Sequence, residues 1–132
     1  MPEKKVVVID SSAIIACLED RRDLFEALRD TFEGGVEVAV PNAVLEELKK
    51  LATQSGRRKL AAKSALQLLQ RGSDDIVVRV IDVDAKSTDE ALLKLSMELN
   101  ACLITLDREL RKTAEAKGIT ALTYLRSKKR FG

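Results

Sequence analysis

The 132-residue sequence contains no histidine, no tryptophan and only two cysteines. Without histidine the chain cannot build a Ser-His-Asp or Cys-His catalytic triad, nor a zinc site of the Cys/His type. Cys17 and Cys102 do not form a C-x-x-C redox motif, so we expect small core residues of a reduced, intracellular protein. The phosphate-binding motifs G-x-x-x-x-G-K and G-x-G-x-x-G are also absent, which argues against a nucleotide-dependent enzyme. Carboxylates, lysines and backbone amides remain as the available chemical groups.

Aromatic residues and long hydrophobic runs are equally scarce. The four aromatic side chains are too scattered to form a base-stacking platform, and no apolar run approaches the roughly 20 residues of a membrane span. The charged start of the chain, residues 1–5, does not resemble a signal peptide. We therefore expect a cytoplasmic protein without a membrane partner.

Short apolar segments alternate with helical patterns along the whole chain. Strands are predicted at 6–9, 36–40, 76–83, 101–105 and 119–122. Helices are predicted at 12–18, 24–32, 42–52, 57–70, 88–99 and 108–117. This alternation predicts βαβ crossovers, and hence an α/β fold with a central, mainly parallel sheet and helices on both faces. No linker or repeat interrupts it, so we expect residues 1–132 to form a single domain.

Aspartates follow two of the predicted strands. Asp10 comes directly after the first strand, and Asp107 comes shortly after the fourth. Either residue could simply cap the helix that it precedes, because aspartate is a favoured N-cap residue. In open α/β sheets, however, ligands bind at the carboxyl ends of the strands. Both positions are therefore candidates for helix caps and for a functional site.

Two adjacent glutamates in the third predicted helix differ in the face that they occupy. Glu47 borders the apolar stripe that contains Leu48, where a carboxylate is costly unless a cation compensates it. Glu46 points the other way and precedes Lys50 by four residues, as an ordinary surface pair does. Glu47 is therefore the candidate functional residue of the two.

A similar choice arises in the helix that follows the third predicted strand. Ser87 as N-cap would place Glu90 in a capping box, and Glu90 also precedes Lys94 by four residues. These two roles explain Glu90, whereas Asp89 lies nearer the apolar edge and has no such explanation. Asp89 is therefore the candidate functional residue here.

The four candidate acids come from four separate elements, each expected near the carboxyl edge of the sheet: Asp10, Glu47, Asp89 and Asp107. Converging carboxylates repel one another unless they hold hard divalent cations, which prefer oxygen ligands. A typical use of such a centre is Mg²⁺ or Mn²⁺ activating a water for attack on a phosphodiester. This chemistry needs no histidine.

Four motifs in this order resemble those of PIN domains. They are hydrophobic-Asp-Ser-Ser at 8–12, Val-Pro-x-x-Val-x-x-Glu-Leu at 40–48, Asp-x-Ala-Leu at 89–92 and Thr-x-Asp-Arg-x-Leu at 105–110. The tail at 118–126 also resembles the last strand of that family. The Lys-Lys-Leu-Ala sequence after the second motif looks closer to archaeal and ribosomal-RNA-processing PIN domains than to many VapC-type toxins.

The resemblance implies a three-layer α/β/α sandwich and a Mg²⁺- or Mn²⁺-dependent ribonuclease. Its acids correspond to Asp10, Glu47, Asp89 and Asp107, and Ser12 matches a hydroxyl position that supports the metal site. One departure concerns Leu106, because many members have asparagine directly before the last acid. We expect the loss of that amide to weaken the positioning of metal or water.

Two basic clusters are candidate RNA-binding segments, since clustered lysine and arginine neutralise phosphates. The first begins the fourth predicted helix and the second ends the chain: Arg57, Arg58 and Lys59, then Arg126, Lys128, Lys129 and Arg130. The alternative is a solvated helix face for the first cluster and a disordered tail for the second. Lys49 and Lys50 are most simply interpreted as solubilising charges.

Two functional hypotheses remain open. The first is an endoribonuclease, acting in RNA maturation with a ribosome-biogenesis partner or as a toxin with an antitoxin. The second is a PIN-like domain that binds RNA or a protein partner without cutting. PIN domains often dimerise, and Phe25 and Phe32 on one predicted helix are candidates for a homodimer surface.

Overall fold

The computed structural model describes residues 4–132, and the expectation about the start of the chain falls in part on residues 1–3, outside this range. Five parallel strands form the central sheet in the order β3-β2-β1-β4-β5. Their bounds are β1 Lys5–Ile9, β2 Val36–Pro41, β3 Val77–Ile81, β4 Cys102–Ile104 and β5 Ala121–Leu122. Each corresponds to a strand predicted from the sequence.

Six helices flank this sheet: α1 Ser11–Glu19, α2 Leu24–Thr31, α3 Asn42–Thr53, α4 Arg58–Arg71, α5 Thr88–Glu98 and α6 Arg108–Ala116. α1, α3 and α4 pack against one another, whereas α5 packs over β1, β2 and β4. The predicted three-layer α/β/α architecture with a parallel sheet is therefore confirmed.

The helix ends follow the local sequence signals. Asp10, Asp23, Ser87 and Asp107 each accept a hydrogen bond from a backbone N–H in the first turn of the helix that follows. α4 is capped at its C-terminal end by Gly72, whose φ of 66° lies in the left-handed region that favours glycine. These caps explain why sequence patterns locate the helices to within a residue or two.

The core lies mainly on the three inner strands, β2, β1 and β4, and the helices that cover them. Val7, Val8 and Ile9 of β1 are completely buried, as are Leu103 and Ile104 of β4. A β-branched run buried on both faces is typical of a parallel strand covered by helices. This burial fixes the carboxyl ends of β1 and β4 rigidly beside each other.

The C-terminal segment is ordered, which contradicts the alternative of a disordered tail. β6 Tyr124–Leu125 pairs antiparallel with β7 Arg130–Phe131, in a small second sheet that the sequence did not predict. The Tyr124 and Phe131 rings are both buried and meet edge to face, with their centroids 5.4 Å apart. The hairpin packs against α1 and α2.

Phe25 is only 5% exposed and belongs to the core of the chain itself, and Phe32 packs against that core. The expectation that these two rings form a dimer surface is therefore wrong for Phe25.

Cys17 is buried and Cys102 is half-buried, and both are free thiols. None of the helices in residues 4–132 is long and apolar enough to cross a membrane.

Candidate active site

β1 and β4 are neighbours at the point where the strand order of the sheet reverses. Ile9 pairs with Ile104, and the backbone N–H of Asp10 donates to the Ile104 carbonyl at 2.9 Å. The next residues along the two strands, Asp10 and Thr105, therefore lie side by side. Such a switch point forms a crevice at the carboxyl edge of a parallel sheet.

Asp10 is 8% exposed and accepts hydrogen bonds from three donors within 3.2 Å. Its Oδ1 accepts from the Ser11 N–H at 2.8 Å, and its Oδ2 accepts from the Thr105 hydroxyl at 2.8 Å and the Ser12 hydroxyl at 3.2 Å. Burial raises the pKa of the Asp10 carboxyl, the Thr105 hydrogen bond opposes this, and the negative charge of Glu47 raises it further. The carboxylate is both firmly oriented and electrostatically costly.

Glu47 of α3 links three helices through two hydroxyl groups. The Ser11 hydroxyl of α1 donates to its Oε1 at 3.0 Å, and the Thr88 hydroxyl of α5 donates to its Oε2 at 3.3 Å. Glu46 lies on the exposed face of α3, as expected, but its ion-pair partner is Lys49 at 3.4 Å. The predicted pairing of Glu46 with Lys50 is wrong, because here the i,i+3 neighbour makes the contact.

Asp89 and Glu90 differ in the first turn of α5. Ser87 accepts from the Glu90 N–H at 3.1 Å, which confirms Ser87 as the N-cap. Lys94 donates to the Asp84 carbonyl at 2.7 Å, so the expected ion pair between Glu90 and Lys94 does not form. The pKa of Asp89 is raised by partial burial and then by the negative charges of Asp107 and Asp10.

Asp107 acts as the N-cap of α6. Its Oδ1 accepts from the Glu109 N–H at 3.0 Å and the Leu110 N–H at 3.2 Å. A cap does not exclude a ligand role, because in residues 4–132 nothing donates a hydrogen bond to its Oδ2. The cap interpretation is thus confirmed, and the negative charge of Asp107 also raises the pKa of Asp89.

Leu106, the departure from the PIN pattern, contributes its backbone to the site. Its N–H donates to the Ser12 hydroxyl at 3.1 Å, and its side chain is half-buried against the core. Ser12 therefore connects Asp10 to the loop between β4 and α6.

The candidate acids are held by hydroxyl groups that the sequence interpretation did not single out: Ser11, Thr88 and Thr105. Thr105 is fully buried and also accepts from the Asp107 N–H at 3.2 Å, so one hydroxyl joins two candidate acids. Ser11 and Thr105 lie inside the motifs at 8–12 and 105–110, which is the only sequence signal for them. Nothing in the sequence marks Thr88 beyond its place next to Ser87.

The donor set fits a hard divalent cation in chemistry, because it consists of carboxylates of like charge, and neighbouring carboxylates contribute to the raised pKa values of Asp10 and Asp89. Within residues 4–132, however, no three potential ligand side chains lie close enough to form a closed metal cage. Mg²⁺ commonly uses only one or two carboxylates and completes its shell with waters and substrate phosphates. An open set of acids is compatible with such a site.

The two basic clusters lie at the other end of α1. Arg57 lines a shallow cavity with Arg21 and Glu19, and Arg126 approaches Glu19 with 3.7 Å between the guanidinium and carboxylate. α1 spans nine residues from its cap at Asp10, which corresponds to roughly 13 Å. One residue of each cluster, Arg57 and Arg126, therefore lies near Glu19, at the end of α1 that is away from Asp10.

Comparisons with known proteins identify the family of this chain. The sequence model of the family described as "PIN like domain" matches residues 7–128. The chain belongs to this family. Ribonuclease VapC9 of Archaeoglobus fulgidus is 28% identical to this PIN domain over 127 residues, which cover 96% of the chain and 87% of that protein. An uncharacterized PIN and TRAM-domain containing protein of Thermus thermophilus is 34% identical over 87 residues, covering 64% of this chain and 26% of its own length.

Solved structures share the fold of this PIN domain. The PIN domain endonuclease Utp24 superposes with a TM-score of 0.71 at 23% identity, covering 96% of this chain and 88% of that one. The VapBC2 complex of Rickettsia felis, bound to a DNA fragment from its promoter, gives a TM-score of 0.63 at 13% identity, covering 89% of this chain and 98% of that one. At these identities the similarity establishes the fold alone.

Proposed function

We propose that this PIN domain, as a single domain of residues 1–132, is an endoribonuclease that depends on Mg²⁺ or Mn²⁺. Its proposed catalytic and metal-binding acids are Asp10, Glu47, Asp89 and Asp107. One observation supports this most strongly: acids from four different elements interact at the switch point of the sheet. Ser11 connects Asp10 with Glu47, because its backbone N–H donates to Asp10 and its hydroxyl donates to Glu47, and the charges of Asp107 and Asp10 both raise the pKa of Asp89.

In this proposal the acids hold the cation, and the hydroxyl groups hold the acids. These four acids would hold a divalent cation, whose chemistry there would be to polarise the phosphodiester and to lower the pKa of the attacking water. Thr105 and Ser12 restrict Asp10 to one orientation through its Oδ2, and Ser11 and Thr88 do the same for Glu47. Such pre-orientation matters because small misplacements of catalytic groups are costly.

RNA is the proposed substrate because the 28% identical relative, which covers 96% of the chain, is named a ribonuclease. That relative favours a role like that of a VapC protein, with an antitoxin as partner. RNA maturation with a ribosome-biogenesis partner is the other role compatible with the site. The two basic clusters, Arg57 to Lys59 and Arg126 to Arg130, are proposed to hold RNA away from the cleavage point. A homodimer remains a prediction without an assigned surface.

Cleavage assays test the proposal directly. Purified protein with Mn²⁺ or Mg²⁺ should cleave single-stranded RNA, EDTA should stop the reaction, and Asp10→Asn should abolish it while the protein stays folded. Asp89→Asn should lower the rate by at least roughly a hundredfold, since it removes a metal ligand. Glu90→Gln is the matched control in the same helical turn and should remain near wild type. Cleavage that survives both EDTA and Asp10→Asn would contradict the metal mechanism.

The second candidate function is RNA or protein binding without cleavage. Two observations favour it: the leucine at position 106 and the absence of a closed cage of three acids within residues 4–132. If the wild type binds RNA as tightly as Asp10→Asn and neither protein cuts with any divalent cation, this second function is the correct one.

A further inference from the structure

A groove of about 810 Å³ leads away from the candidate active site between α3 and the segment at 83–88. Glu47 and Thr88 line both the groove and the acidic site, so the two are continuous. The Val83 N–H donates to the Asn42 side chain at 3.0 Å, which holds the segment against the start of α3. The groove wall on α3 extends from Asn42 to Thr53, roughly 16 Å of helix.

Three lysines line this groove: Lys49 and Lys50 on α3, and Lys86 on the opposite wall. Lys49 is neutralised by Glu46 at 3.4 Å. Lys50 and Lys86 are exposed and take part in no ion pair among residues 4–132. The groove thus carries an uncompensated cation on each wall, next to an acidic centre. The interpretation of Lys50 as a merely solubilising charge does not account for this placement.

The remaining lining includes the small side chains of Ala43, Ala85 and Ala91. Polar side chains also line the groove, and each already makes a hydrogen bond within the chain: Asn42, Thr53, Ser87 and Thr88. Since alanine offers no hydrogen-bonding group to a base edge, the lining provides little for direct readout of bases. Lysines that contact phosphates position a strand without reading its sequence. The chemistry therefore suits a single-stranded backbone rather than a particular base.

We propose that this groove binds the RNA strand on one side of the phosphate to be cut, with Lys50 and Lys86 contacting backbone phosphates. The identity of the strand as RNA rests on the proposed function. The binding itself does not require cleavage, and it can be measured separately.

The test uses Asp10→Asn protein and a fluorescently labelled single-stranded RNA, with the dissociation constant measured by anisotropy over a range of salt concentrations. The logarithm of the association constant falls linearly with the logarithm of the salt concentration, and each phosphate contact contributes about 0.7 to the steepness of this fall for single strands. Lys50→Gln with Lys86→Gln should therefore make the slope shallower by about 1.4. A fourfold rise in salt should then cost the parent about sevenfold more affinity than the double variant. Lys112→Gln with Lys117→Gln removes the same charge from α6 and its C-cap residue and should leave the slope unchanged.

Each outcome decides the inference. An unchanged slope in the groove variant, or an equal change in the α6 variant, would overturn it. Competition by an acidic peptide as effective as that by RNA would overturn RNA as the occupant. The wild type could fail to cleave RNA while the groove variant, but not the α6 variant, weakens the salt dependence of RNA binding. In that case the RNA-binding role of the groove is correct and the nuclease proposal is wrong.

Discussion

Removal of the Thr105 hydroxyl tests whether the site is organised around Asp10. In Thr105→Val the side chain keeps its shape, but the 2.8 Å bond to Asp10 and the 3.2 Å bond from the Asp107 N–H are lost. A hydrogen bond to a charged group contributes about 1.5–3 kcal/mol, and Thr105 is fully buried. We expect a loss of about 2–3 kcal/mol in the free energy of unfolding at neutral pH. For a chain of this length that corresponds to a fall in Tm of about 7–11 °C.

The pH dependence of this loss has a definite sign. Burial raises the pKa of Asp10 in the folded state, so ionised Asp10 destabilises the protein at neutral pH. This cost decreases as the pH falls through the folded-state pKa and is gone below the unfolded-state pKa. The Thr105 hydrogen bond lowers that pKa, so valine raises it further. The difference in the free energy of unfolding between Thr105→Val and the wild type should therefore be largest at neutral pH. Below the folded-state pKa it should shrink towards the value of about 1 kcal/mol for a neutral hydrogen bond.

Urea denaturation at several pH values measures this difference. Thr113→Val is the matched control, because the Thr113 hydroxyl is exposed and bonds only to the Glu109 carbonyl of its own helix. Its effect should be small and independent of pH. In a double-mutant cycle, most of the cost of Thr105→Val should vanish when Asp10 is already asparagine. A loss that is equal at all pH values, or undiminished beside Asp10→Asn, would refute the reasoning.

Three further predictions concern the acids and the C-terminal hairpin. Glu47→Gln should lower cleavage by at least roughly a hundredfold, whereas Glu46→Gln should stay near wild type; the reverse in a cleavage assay would contradict the assigned helix faces. Asp107→Asn should leave the metal-free Tm nearly unchanged, because asparagine also caps helices, but should reduce the rise in Tm caused by Mn²⁺; an undiminished rise would leave this residue as a cap only. Phe131→Ala should cost about 3–5 kcal/mol in chemical denaturation, since its ring is 3% exposed, and a cost below about 1 kcal/mol would contradict the packed hairpin.

The main elements of the fold were predictable because their signals are local. The β-branched run of β1 and the caps at Asp10 and Ser87 lie within a few residues of the structure that they specify. The C-terminal hairpin was not predictable in this way. Burial of Phe131 depends on its contact with Tyr124 and on packing against α2, which is distant in the sequence. A basic run such as 126–130 gives no local sign of such packing.

The sequence by itself determined the candidate acids of the site, because Asp10, Glu47, Asp89 and Asp107 stand in motifs of known order and on definable helix faces. Only the tertiary structure decided what holds them. The hydroxyl of Thr105 reaches Asp10 across 95 residues of chain, and the charges that raise the pKa of Asp89 come from other elements.

The physical reason is that periodicity specifies which face of an element is buried but not which elements become neighbours. The order of strands in the sheet makes Asp10 adjacent to Thr105, and the packing of α3 beside the segment at 83–88 creates the groove between Lys50 and Lys86. Hydrogen bonds act over about 3 Å, so they depend on this adjacency completely. Partners within the site and the path that leads to it are therefore properties of the folded chain.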